Sequence, residues 1–232
     1  MGEMVDFKSN GDTARGYLAV PSSGSGPGVI VVQEWWGLNP QIKGVADKLA
    51  GEGFVALAPD LYRGELAEHD EMDKAGQLMT SLPMDRAARD MTGAVDFLAG
   101  HSATSGDSIG AIGFCMGGGL VLMLGCLRPD KVRAVVPFYG VVGFDDANAP
   151  DWSKLEASVQ GHYAEKDDFF PIAKAQALES GLKGLGKDAT IHVYPGTGHA
   201  FANESDALGT YDEKAAATAW ERALSFLRSK LG

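Results

Sequence analysis

A chain of 232 residues, 45% of them apolar and 31 of them glycine, can build one large α/β core, although length alone leaves two small domains open. Its 20 lysines and arginines stand against 31 aspartates and glutamates, and the net charge of −11 repels phosphate backbones and anionic lipid, so neither nucleic acid nor a membrane is expected as a partner. The opening MGEMVDFKSNGD carries charges where a secretory signal needs an apolar run, and no stretch approaches the roughly 18 apolar residues of a membrane span, which points to the cytoplasm.

In chain order, SSGSGPG (22–28) reads as a loop, and PGVIVVQEWWG (27–37) as a strand buried on both faces that ends in an aromatic turn. Asn39 can cap the next helix and Pro40 suits its first position; Ile42, Val45, Ala46 and Leu49 share one face before Gly51 and Gly53 end it. A strand at 54–60, a helix at 87–99, a strand near 108–113 and a helix from about 115 follow. Strands at 132–140 and 157–163 precede a helix with Ile172, Ala175, Leu178, Leu182 and Leu185 on one face. ATIHVYPG is the last strand, and Trp220, Ala223, Leu224, Leu227 and Leu231 face inward from the final helix. This alternation predicts a single α/β domain over 1–232, a doubly wound, mostly parallel sheet with helices on both faces. Ligands of such sheets bind beyond the carboxyl ends of the strands, so chemistry is sought in the turns that follow them.

One such turn, GFCMG (113–117), is the cysteine version of the G-x-S-x-G nucleophile elbow, in which a sharp strand-to-helix turn lifts the nucleophile above the sheet. At the start of a helix, free N–H groups and the macrodipole favour a thiolate at Cys115, and the N–H of Met116 is placed to hold an oxyanion. Cys126, eleven positions on within an apolar run, reads as a packing residue. On one helix the two cysteines would stand roughly 16 Å apart, too far for a disulfide. A nucleophile needs a base and the base an acid, and the chain order nucleophile, acid, histidine is that of α/β-hydrolases. Asp167 (with Asp168 as rival) and His199 follow later strands; the other histidines, His69, His101, His162 and His192, read as surface or packing residues. No Cys/His spacing suggests zinc, and no cofactor is called for.

At these residues the chain resembles the dienelactone hydrolase (carboxymethylenebutenolidase) family of α/β-hydrolases from about Gly16 onward, through QEWWGLN, APDLYRG, GFCMGGG, EKDDFFP and GTGHAFAN. The resemblance implies Cys115 as nucleophile, His199 as base, Asp167 as third member, and Glu34 as a carboxylate that contacts the thiol and switches it into its reactive form. It further implies the N–H groups of Trp35 and Met116 as the oxyanion hole, with Trp36, Tyr62, Arg63, Phe169 and Asn203 around a small ester or lactone. Members acting on dienelactone hold its carboxylate with arginines, one of them four residues after the histidine, where this chain has Asn203. Arg63 is the remaining candidate for a substrate anion. The segment Glu65 to Pro83 is expected to overhang the pocket. The expected state is a monomer or weak homo-oligomer. From another class, an idle hydrolase fold with Cys115 as a redox sensor is the alternative.

Overall fold

The computed structural model describes residues 2–232. An eight-stranded sheet runs through the molecule in the order β1-β2-β4-β3-β5-β6-β7-β8. Strands β3 (Gly26–Val32), β4 (Val55–Pro59), β5 (Thr104–Phe114), β6 (Val132–Phe138), β7 (Ser158–Lys166) and β8 (Ala189–Gly198) are parallel. At one edge β1 (Glu3–Ser9) and β2 (Asp12–Ala19) form a hairpin, and β2 runs antiparallel to β4. That hairpin lies outside the elements expected from the sequence, although its Asn10-Gly11 turn, with φ of 43° and 100°, has the residue pair that left-handed hairpin turns select. The loop expected at 22–28 is shorter, because Gly26, Pro27 and Gly28 already belong to β3.

Helices α1 (Pro40–Gly51) and α6 (Glu213–Leu231) cover one face of the sheet. Helices α3 (Met84–Ala99), α4 (Met116–Leu127) and α5 (Ile172–Gly184) cover the other. The alternation along β3 divides the core: Val29 and Val31 join the α1/α6 side, Ile30 and Val32 the α3/α4/α5 side. Asn39 caps α1 as expected, accepting from the Ile42 N–H at 3.0 Å. Asp212 caps α6 in the same way, accepting from the Ala215 N–H at 2.8 Å. An additional helix, α2 (Met72–Ser81), forms within the segment 65–83. Trp36 packs with Ala67 and Ala75 there, so the segment does lie over the aromatic turn after β3.

Because β3, β5, β6, β7 and β8 are consecutive neighbours, the turns at their carboxyl ends converge. The β5–α4 turn is the tightest of these. A Cβ at Gly113 would run into the Gly117 carbonyl, one at Gly117 into the carbonyls of Val32 and Gln33, and one at Gly140 into the Cys115 carbonyl. These clashes are with backbone, which no rotamer change relieves. The Gly140→Ala variant is therefore expected to lose about 3 kcal/mol of stability, read as a lower urea midpoint at unchanged slope. A shift within experimental error would show that the turn can give way.

Candidate active site

Cys115 stands between β5 and α4 with φ 54° and ψ −121°, a backbone conformation that L-residues seldom adopt. Hydrogen bonds hold it there: its N–H donates to the Phe138 carbonyl at 3.0 Å, and its carbonyl accepts from the Gly118 N–H at 2.9 Å. The side chain is buried, and the N–H groups of Met116 and Trp35 lie near its sulfur. These are the donor expected from the elbow, Met116, and the one implied by the family resemblance, Trp35. Burial raises the thiol pKa far above its ordinary value; the Glu34 carboxylate adds to this, and the two N–H groups offset it in part. The resting group is a neutral thiol.

His199 follows β8, and its Nδ1 lies 2.8 Å from Oδ2 of Asp167, which follows β7. The other carboxylate oxygen of Asp167 accepts the N–H groups of Phe169 and Phe170 at 2.9 and 2.8 Å, which fixes its direction. Asp168 is exposed, so the geometry pairs His199 with Asp167. Phe169 and Phe170 place their rings 4.9 and 5.7 Å from the imidazole. His199 and Cys115 line one cavity, with Trp35, Trp36, Ala207 and Leu208 among its walls. Among the described residues no hydrogen bond joins sulfur to imidazole.

Glu34, just past β3, is 2% exposed and is held by two neutral donors. The Tyr139 hydroxyl donates to its Oε1 at 3.3 Å, and the Asn203 amide donates to its Oε2 at 2.8 Å. Burial pushes the carboxyl up to about 6; His199 and these hydrogen bonds pull the other way. Tyr139 also sets its ring against His199 at 5.2 Å. Tyr139 sits directly after β6, in one of the turns where site residues gather, but nothing in the sequence pattern marks it for this role.

Asn203, expected around the substrate, lines the cavity that Cys115 and His199 share; its amide holds Glu34, and its carbonyl oxygen accepts from Ser205. Arg63 requires a correction. Its guanidinium pairs with Asp12 at 2.9 Å and Asp90 at 3.3 Å and donates to the Thr13 carbonyl at 3.3 Å. The buried Asp90 carboxylate needs a cation, so Arg63 turns to the hairpin edge and α3 and away from the cavity. Tyr62 does face the elbow, its hydroxyl 3.6 Å from the Met116 sulfur. Trp36 is buried against Trp35 and His69. Among the described residues no lysine or arginine lines the space beside the thiol, which is only about 10 Å³.

Residues 14–231 match the Dienelactone hydrolase family. The chain belongs to that family. Two Aquifex relatives align over 237 residues covering all of both chains: the protein usf of Aquifex pyrophilus, 39% identical, and a protein of Aquifex aeolicus (strain VF5), provisionally named a carboxymethylenebutenolidase, 38% identical. A crystal structure from Klebsiella pneumoniae, provisionally described as a dienelactone hydrolase, superposes with a TM-score of 0.85 at 28% identity, covering 98% of each chain. Sheet, helices and neighbours together give an α/β-hydrolase fold, and this family member is a dienelactone-hydrolase-like hydrolase. No helix among its described residues is long and apolar enough to cross a membrane.

The buried Glu34 generates a pH prediction. Folded protein keeps this proton up to about pH 6, whereas an ordinary glutamate releases it near 4.5, so in that window the native state binds more protons and stability falls as pH rises. The full effect is about 2 kcal/mol. Relative to wild type, Glu34→Gln is expected to gain about that much between pH 4.5 and pH 7 in urea titrations at the two pH values. A difference that does not change with pH would mean that Glu34 titrates as an exposed acid.

Proposed function

We propose that the chain hydrolyses a carboxylic ester or lactone through a thioester on Cys115. The observation that carries this reading is the convergence, at the ends of neighbouring strands, of an elbow cysteine whose sulfur faces two backbone N–H groups and a histidine oriented by a buried aspartate. In this reading the sulfur swings from the N–H pair toward His199, leaving that pair for the substrate carbonyl oxygen. Sulfur attacks the carbonyl carbon and the thiol proton passes to Nε2 of His199 while the carbonyl electron pair moves onto oxygen between Trp35 and Met116. Collapse of the intermediate breaks the C–O bond, His199 returns the proton to the leaving alkoxide, and Asp167 holds the ring throughout. Water then gives a proton to His199 and attacks the thioester; the acid departs and the thiol re-forms.

Glu34 fits the switching role that the family resemblance implies. Its charge disfavours a neighbouring thiolate, so the nucleophile stays unreactive until substrate alters their contact. The space beside the thiol is so small that Leu208, Ala207 or Trp35 has to shift for substrate to enter. The alternative of a redox sensor is disfavoured, since oxidation selects exposed thiols of low pKa and this one is buried with a raised pKa. Dienelactone is disfavoured as substrate because Arg63 is engaged by Asp12 and Asp90 and Asn203 is neutral, leaving its carboxylate without a cation.

Aryl esters and lactones of graded charge test the proposal. Wild type is expected to turn over uncharged members, and Cys115→Ala and His199→Gln each to lose at least about a thousandfold in kcat/KM. Near-normal turnover by Cys115→Ala would remove the thiol from the mechanism, and near-normal turnover by His199→Gln would remove the base.

A further inference from the structure

A second, larger cavity adjoins the elbow. It holds about 360 Å³, and Met79, Met84, Met116 and Met123, four of the chain's eight methionines, line it. They come from three helices: Met79 from α2, Met84 from the start of α3, and Met116 and Met123 from α4. The cavity shares no lining residue with the space beside the thiol but abuts the candidate catalytic site through Met116, which directly follows Cys115, and Phe170, which packs on His199. Met116, whose N–H faces the Cys115 sulfur, lends its side chain to this cavity, and Phe170, stacked on His199, closes another side.

The chemistry of the lining is selective. Asp146 is the one charged residue in it, and its carboxylate is satisfied by Lys174 at 2.8 Å and by the Gly143 N–H at 2.8 Å. No cation offers a site for an anion. Thioether side chains are flexible and polarisable and mould themselves to apolar groups of differing shape. An apolar cavity of about 150 Å³ is enough for benzene, so this one has room for a longer chain.

We propose that this cavity takes the uncharged aliphatic acyl chain of the substrate. The assignment rests on the Cys115 chemistry proposed above: the acyl carbon carries the oxygen held at the Met116 N–H, and the chain attached to that carbon then continues past Met116 into the methionine-lined space. The leaving alcohol lies on the other side, at His199. The substrate class is accordingly an ester or lactone with a medium-length neutral hydrocarbon arm.

The test compares aryl esters from acetyl to octanoyl in wild type, Met123→Trp and Ala147→Trp, the last filling the cavity from its exposed rim. Wild type should favour octanoyl over acetyl by at least tenfold in kcat/KM, and each filling variant should reduce that ratio at least fivefold. The same ratio in all three proteins would overturn the proposal, as would a dependence on alcohol length alone in a matching series of alkyl acetates. Binding separates this result from the chemistry. In the Cys115→Ala background octanamide should bind at least tenfold more tightly than acetamide by calorimetry, with Met123→Trp abolishing the difference. Equal binding of the two amides would overturn the cavity's role even if esters are cleaved. Conversely, chain-dependent binding without hydrolysis by wild type would uphold the cavity and reject the thioester mechanism.

Discussion

The site depends on one backbone constraint, the left-handed conformation of Cys115 between β5 and α4. Such a conformation costs on the order of 1–3 kcal/mol in a residue with a side chain, and it persists because the surroundings permit nothing else. Gly113, Gly117 and Gly140 let three stretches of backbone close around the turn, and the Phe138 carbonyl and Gly118 N–H fasten it. The turn places the sulfur above the sheet, opens α4 directly behind it, and aims the Met116 N–H at the same point as that of Trp35. A more relaxed turn would leave a cysteine in the strand or the helix, where its side chain would join the core.

The elbow, acid and histidine were legible because each is a local event with a fixed structural consequence. A residue directly after a parallel strand stands at the carboxyl edge wherever that strand lies in the sheet, so Cys115, Asp167 and His199 could be placed without knowing the strand order. Choosing Asp167 over Asp168 required coordinates, since the two differ only in which way the turn rotates them.

Residues whose roles depend on distant partners were less legible. Arg63 is drawn aside by Asp12 and Asp90, and the buried acid that claims it becomes visible only when α3 packs against the hairpin. Asn203 meets Glu34 across 169 positions of sequence, a contact that neither periodicity nor spacing encodes. The β1–β2 hairpin had a readable turn at Asn10-Gly11, but its half-exposed strands, with their interspersed charges, lack the continuous apolar run that marks β3 and β6.

Glu34 sets the electrostatic character of the candidate site through the neutrality of its partners. A guanidinium beside it would hold the carboxylate ionised and would also offer a docking point for a substrate anion. Tyr139 and Asn203 supply hydrogen bonds without charge, so burial prevails and the carboxyl titrates at about 6. Near neutral pH the carboxylate is largely ionised, and its negative charge beside the thiol opposes a second one on sulfur. An anionic substrate would itself bring a second negative charge into a space with no lysine or arginine among the described residues of its walls. The substitution of neutral donors for cations therefore acts on thiol and surroundings together: it favours a protonated sulfur at rest and leaves the site without a counter-charge for an anion.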